Sequence, residues 1–152
     1  MRTHPPEVDP LSPSEERFLR SLTRLLAVLP RRLDADLVRH TGLSVTDYYV
    51  LVHLSEAPER RMRMSELAAG AAMSMSGTSR VIDRLQRMGL VVRERCPDDG
   101  RGWDAVLTDA GFEELENAWI THLASVRTHI FDHTDDIDLD SIADAFERMT
   151  KG

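Results

Sequence analysis

One cysteine, Cys96, stands among 152 residues. No internal disulfide is therefore available to brace the fold, and a reducing cytoplasm is the expected setting. No apolar run approaches the roughly 20 residues that a bilayer span requires, so no membrane partner is expected. The opening stretch MRTHPPEVDPLSPSEE is rich in proline and acid and has no apolar centre, so it reads as neither secretory leader nor anchor. Lysine is nearly missing, with Lys151 alone, so arginine carries the positive charge. Also lacking are a phosphate-binding glycine loop, Gly-x-Ser-x-Gly, His-Glu-x-x-His, and a Cys–His pair with a third orienting group. No catalytic residue, cofactor or enzymatic activity is expected.

The net charge of −7 argues at first against an anionic partner, but the charge is unevenly placed. Between Arg60 and Trp103 lie nine arginines (60, 61, 63, 80, 84, 87, 93, 95, 101) and five carboxylates (Glu66, Asp83, Glu94, Asp98, Asp99). That is a net of +4, which leaves −11 for the remainder. A basic centre inside acidic flanks can meet a phosphate backbone while the flanks discourage unproductive contacts. With 41% hydrophobic and 30% charged residues, the composition is that of one globular domain with a helical extension.

Residues 1–13 hold four prolines and are expected to form a flexible tail, with a single domain over 14–152. Ser12 or Ser14 can cap a helix that has Pro13 and two glutamates in its first turn. Along it Phe18, Leu22, Leu25, Leu29, Leu33 and Leu37 recur at spacings of three and four, and Leu19 and Leu26 widen the stripe. Pro30 should kink this helix or divide it in two, and Gly42 should end it. Thr46 is expected to cap a buried helix over residues 47 to about 55, closed by Pro58. Residues 61–64 alternate like a short strand. Ser65 then opens a helix to about residue 72, and Ser74 or Ser76 caps the next, which runs to Met88 and stops at Gly89. In that helix Val81, Ile82, Leu85 and Met88 face the core, while Arg80, Arg84 and Arg87 share another face. Residues 90–95 and 103–107 form a hairpin around the turn CPDDGRG. Thr108 caps a long helix carrying Phe112, Leu115, Trp119, Leu123, Val126 and Ile130. A last helix over 138–149 shows Ile142, Phe146 and Met149.

Two short helices joined by a tight turn and followed by a hairpin make a helix-turn-helix with a wing, and the second helix of such a motif enters the DNA major groove by its N-terminal residues. Here these are Ser74, Met75, Ser76, Gly77, Thr78, Ser79 and Arg80. Small hydroxylated side chains allow close approach, the helix dipole attracts phosphate, and an arginine can pair with guanine edges. At the hairpin tip Arg101 can enter an A·T-rich minor groove, with Asp99 holding its guanidinium.

The run SELAAGAAMSMSGTSRVIDRLQRMGLVVRERCPDDGRGWDAVLTDAG resembles the winged helix of the MarR (multiple antibiotic resistance regulator) family. The matching pieces are Ser65-x-Leu67-Ala68, Ser79-Arg80, Ile82-Asp83-Arg84-Leu85, Gly89-Leu90-Val91, Asp99-Gly100-Arg101 and Leu107-Thr108-x-x-Gly111. Residues 43–58 resemble the family's preceding helix, and the likeness covers roughly residues 15 to 132. It departs at Pro30, where the family's first helix is usually unbroken, at Trp103, where a small residue is common, and at Gly77 in the first turn of the recognition helix.

The resemblance implies a mainly α fold with a small β-hairpin wing: a winged helix-turn-helix over 46–108, with dimerisation helices over 14–42 and 109–150. It implies a sequence-specific DNA-binding regulator, most often a repressor. It binds a pseudo-palindromic operator as a homodimer, with a recognition helix about 75–88 in the major groove and a wing 96–102 in the minor groove. The DNA-contacting candidates are Ser65, Ser74, Ser76, Gly77, Thr78, Ser79, Arg80, Arg84, Arg93, Arg95, Asp99 and Arg101. The dimer candidates are Phe18, Leu22, Leu25, Leu123, Val126, Ile130, Ile142, Phe146 and Met149. Many family members respond to small anionic aromatic effectors, for which Arg24, Arg39, Tyr48, Tyr49, His53 and Trp119 are the candidates here. Two alternatives stay open: an interaction protein or anti-activator that uses the fold without DNA, and a metal- or thiol-sensing variant. For the latter, His122, His129 and His133 would share one face of a helix. The gap of two turns between His122 and His129 is too wide for one ion, so only His129 and His133 with a carboxylate could ligate it, and no metal is expected. Cys96 beside Arg95 could be an activated thiol, but a small turn residue is the expected role.

Overall fold

In a computed structural model of the chain, residues 9–98 and 100–151 are described. Ser12 caps the first helix, α1 (Pro13–Thr41), by a reciprocal box. Its hydroxyl accepts from the Glu15 N–H at 3.3 Å, and Glu15 accepts from the Ser12 N–H at 2.8 Å. The helix runs through Pro30 undivided. A proline in mid-helix removes one N–H donor, yet α1 is continuous across it, and beyond Pro30 the helix is tied to the fifth helix (below) through Asp36, which accepts from Ser125 at 2.6 Å and bonds to His129 at 2.9 Å. Of the tail expected over 1–13, residues 1–8 lie outside the described residues.

The second helix, α2 (Val45–Glu56), is capped by Ser44 and not by Thr46. The reason is tertiary as well as local. Asp47 completes a capping box with Ser44, and Asp34 of α1 accepts from the Val45 N–H at 2.9 Å. The strand β1 (Arg61–Arg63) leads directly into α3 (Met64–Gly70), which begins one residue before Ser65 and ends short of the expected Ala72. Ala72 takes a left-handed φ of 51° in the turn that follows. Ser74 caps α4 (Met75–Arg87), its hydroxyl accepting from the Gly77 N–H at 3.0 Å. Gly89, with φ 77°, turns the chain into the hairpin β2 (Val91–Arg95) and β3 (Trp103–Leu107).

The hairpin pairs in register Val91 with Leu107, Arg93 with Ala105 and Arg95 with Trp103. On its other side β3 pairs with β1, giving an antiparallel sheet of order β1-β3-β2. Period-two alternation puts Val91, Ala105 and Leu107 on the core. Thr108 caps α5 (Asp109–His129), a short 3-10 turn spans Phe131–His133, and Asp138 caps α6 (Leu139–Thr150).

The core is one cluster. Leu37 of α1, Leu43, Val50, Leu51 and Leu54 around α2, Leu67 of α3, and Ile82 and Leu85 of α4 meet Val91 and Ala105 of the sheet and Ala118 of α5. Five helices and the hairpin thus share one apolar centre, which fixes α4 against the wing. The rest of the apolar surface is left uncovered. Phe18, Leu25, Leu123, Phe146 and Met149 are exposed, and α6 has no buried residue. Leu22, Val126, Ile130 and Ile142 are half-buried. Among the described residues, no helix is long and apolar enough to cross a membrane.

Candidate nucleic-acid interface

α4 divides its residues by helical periodicity. Thr78, Val81, Ile82 and Leu85 are buried, while Met75, Ser76, Arg80 and Arg87 are exposed. Thr78, expected among the DNA-contacting residues, is therefore a structural residue: it is fully buried and its hydroxyl donates to the Ser74 carbonyl at 2.9 Å. Ser74 is exposed, but its hydroxyl is occupied by the cap and lies 3.3 Å from that of Ser76. Gly77 makes room for this cap, since a Cβ there would sit 3.0 Å from Ser74 Oγ. Ser65 is exposed at the start of α3.

The arginines separate into two kinds. Arg84, expected beside Arg80, is committed to Asp47: its Nε donates to Asp47 Oδ1 at 3.1 Å, and its Nη2 donates to the same oxygen. The other oxygen of that buried carboxylate accepts from the Ser44 amide and hydroxyl, each at 2.8 Å. Asp47 therefore ties the cap of α2 to the middle of α4, and Arg84 is a brace. Arg93 likewise braces β2 to α4, reaching Asp83 at 2.7 Å and the Ser79 carbonyl at 3.1 Å. Arg80 lies exposed on the outer face of α4, and Arg101 is exposed at the wing tip. Asp99, proposed above to orient Arg101, lies outside the described residues.

The wing is built on a second polar network. Cys96 is buried; its N–H donates to the Gly102 carbonyl at 3.1 Å and its thiol to Asp104 at 2.9 Å. Asp104, also buried, accepts from Arg61 at 3.3 Å, and Arg61 is paired with Glu94 as well. Hydrogen bonding to Glu94, above all, holds the Arg61 guanidinium in its charged form. At the tip Gly100 takes φ 63°, which suits glycine, and donates to the Cys96 carbonyl at 3.2 Å. Arg95 lies over the Trp103 ring at 4.3 Å and donates to the Gly100 carbonyl at 3.2 Å.

Between α4 and the wing runs a groove whose lining includes Arg63, Arg87 and Trp103, none of them a candidate from sequence. The signal for Trp103 was present in its bulk, at a strand start where the family resemblance expects a small residue.

The effector candidates are only partly brought together. Tyr48 and Tyr49 meet edge-on with centroids 5.3 Å apart, and both contact His122, at 4.7 and 6.0 Å. His53 lies near Gly70, Arg39 is paired with Asp36 at 3.6 Å, and among the described residues no polar or ring contact joins Arg24 or Trp119 to this cluster. The row of histidines is broken. α5 ends at His129, which bonds to Asp36 at 2.9 Å, while His133 lies in the 3-10 turn beyond. Hydrogen bonds from Ser125 and His129 hold the Asp36 carboxyl below its usual range.

His122 is buried and, among the described residues, has no hydrogen-bond partner for Nδ1, and that burial lowers its pKa from the usual 6.5. Below about pH 6.5 the unfolded imidazole takes up a proton that the folded one refuses, so stability falls as pH falls. Urea midpoints at about pH 7.5 and 5.5 should therefore differ less for His122→Phe than for the wild type. Equal differences would show that His122 is not the group responsible.

The relatives agree with this architecture. A profile described as MarR family matches residues 41–102. The structure of Sco3205, a MarR family transcriptional regulator from Streptomyces coelicolor in complex with DNA, is 35% identical with a TM-score of 0.86. The match covers 95% of this chain and 91% of that one. AbsC, a MarR family regulator from the same organism, is 35% identical with a TM-score of 0.85, covering 95% and 97%. The HTH-type transcriptional repressor YetL of Bacillus subtilis is 27% identical over 72% of this chain and 67% of its own length. A likeness of 35% sustained over nearly all of two solved members, on the same fold, shows that this chain belongs to the MarR family of transcriptional regulators.

Proposed function

We propose that the chain is a cytoplasmic repressor that binds a pseudo-palindromic operator as a homodimer, with α4 in the major groove and wing 96–102 in the adjacent minor groove. One observation carries the reading. The side of α4 that bears Ser76 and Arg80 is exposed beside a wing whose tip presents Arg101, and both are fixed to one core. The dimer is proposed to form through helices 14–42 and 109–150, where Phe18, Leu25, Leu123, Phe146 and Met149 are large apolar side chains left exposed. The Tyr48, Tyr49 and His122 cluster supports an aromatic effector, since Tyr49 is exposed beside two buried rings. Ser65 and Ser76 are retained as backbone contacts and Arg80 as the base reader. Arg84 and Arg93 position α4.

Gel shifts on the DNA upstream of the protein's own reading frame, at several salt concentrations, test the reading. Arg80→Ala should cost about 1–3 kcal/mol on the operator and much less on random DNA. Arg101→Ala should weaken both and flatten the plot of log affinity against log salt by about one unit. No shift at any salt would favour the interaction-protein alternative, and equal loss on both DNAs in Arg80→Ala would put the recognition helix out of register.

A further inference from the structure

A protein that sets a helix in one major groove and a hairpin in the neighbouring minor groove must straddle the sugar–phosphate strand that separates them. In this chain the space between those two elements is a groove of about 1090 Å³. Met75, Ser79 and Arg87 line it from α4, Arg93 and Trp103 from the hairpin, and Arg63 from the end of β1. Such a strand alternates anionic phosphates with apolar deoxyribose faces. The groove offers the complement of each: the guanidiniums of Arg63, Arg87 and Arg93, the last paired with Asp83, and two large apolar side chains that are 52% and 42% exposed at Met75 and Trp103.

Trp103 is held as a contact surface needs to be held. Its register partner across the hairpin is Arg95, whose guanidinium lies 4.3 Å from the ring centroid and is itself anchored on the Gly100 carbonyl. The indole is thus braced, and the residue stays 42% exposed where it lines the groove. Leaving that much aromatic surface in water is unfavourable for the free protein and becomes favourable when an apolar face covers it.

We propose that Trp103 packs on a deoxyribose of the strand crossing this groove, with Arg63 and Arg87 on the flanking phosphates. The proposal rests on the DNA-binding reading above. It adds a contact that is indifferent to base sequence, because every nucleotide carries the same sugar and phosphate.

The test uses the full-length protein labelled with fluorotryptophan, in which Trp103→Phe identifies the resonance of Trp103 against that of Trp119. The Trp103 fluorine signal should shift on adding either operator or random duplex. In gel shifts Trp103→Ala should lose about tenfold on both duplexes alike, and Trp103→Phe, which keeps an aromatic face, no more than about threefold. The salt slope of Trp103→Ala should match the wild type, because no charge is removed. Arg63→Ala and Arg87→Ala should each flatten it by about one unit.

An unmoved Trp103 resonance, or unchanged affinity in Trp103→Ala, overturns the contact while leaving wild-type DNA binding intact. A salt slope that falls in Trp103→Ala also overturns it, since the residue would then merely hold the wing and its Arg101 in place. Failure of the wild type to shift any duplex removes the DNA-binding reading and the contact with it.

Discussion

Arg84→Ala should cost about 3–5 kcal/mol of stability, more than Asp47→Ala, although the arginine is the more exposed partner. Asp47 is 1% exposed, and removing Arg84 leaves its carboxylate buried with only the Ser44 amide and hydroxyl to satisfy it. Removing Asp47 releases an arginine whose side chain is 44% exposed and can turn into water. What is then lost is the pair's hydrogen bonds and one half of a capping box, about 2–3 kcal/mol together. The double variant should cost less than the sum of the two, because the stranded charge is gone. Denaturation at fixed protein concentration measures this, since the stability of a dimer depends on concentration. Equal costs for the two single variants would mean that the carboxylate reaches water. Both should also weaken operator binding at temperatures where they remain folded, because the brace sets the angle of the recognition helix.

Gly111→Ala should cost about 3 kcal/mol or more, where an ordinary helix would gain about 1 kcal/mol from the same change. A Cβ at Gly111 would lie 2.1 Å from the Leu90 carbonyl oxygen and 2.6 Å from Leu107 Cδ1. The first is backbone, and it is pinned: Leu90 O accepts from the Thr108 N–H at 3.0 Å while Thr108 Oγ1 donates to the Gly89 carbonyl at 2.8 Å. Relief therefore requires lifting the start of α5 from the turn that links α4 to the wing, which loosens α4 and the wing at once. A lower melting temperature together with weaker binding to operator and random DNA is the expected outcome. A variant as stable as wild type would show that this junction yields easily.

Local pattern was enough for the elements themselves. Spacings of three and four marked the helices, although Met88, expected in the core, is exposed and α5 buries Leu115, Ala118, His122 and Ser125 while Trp119 and Leu123 stay exposed. The turn CPDDGRG marked the hairpin, and Ser74, Thr108 and Asp138 begin helices where their side-chain oxygens can accept orphan amides. The basic centre inside acidic flanks, and the motif order that resembles the MarR winged helix, also stood in the sequence without coordinates.

What periodicity could not supply was the partner of each polar group, because hydrogen bonds and ion pairs are made across elements far apart in the chain. Asp34 and Asp47 moved the cap of α2 from Thr46 to Ser44. α1 runs unbroken through Pro30, where local pattern predicted a kink or a division. Arg80, Arg84 and Arg87 are near neighbours on a helical wheel, yet Asp47, 37 residues earlier than Arg84, bound that arginine and left Arg80 and Arg87 exposed. Asp36, 93 residues before His129, claimed an imidazole that spacing alone had grouped with His122 and His133. The groove that presents Trp103 exists only where α4 and the hairpin are held apart by the core they share. A strand sequence states which side chain it carries, whereas what that side chain faces is decided by the element packed opposite.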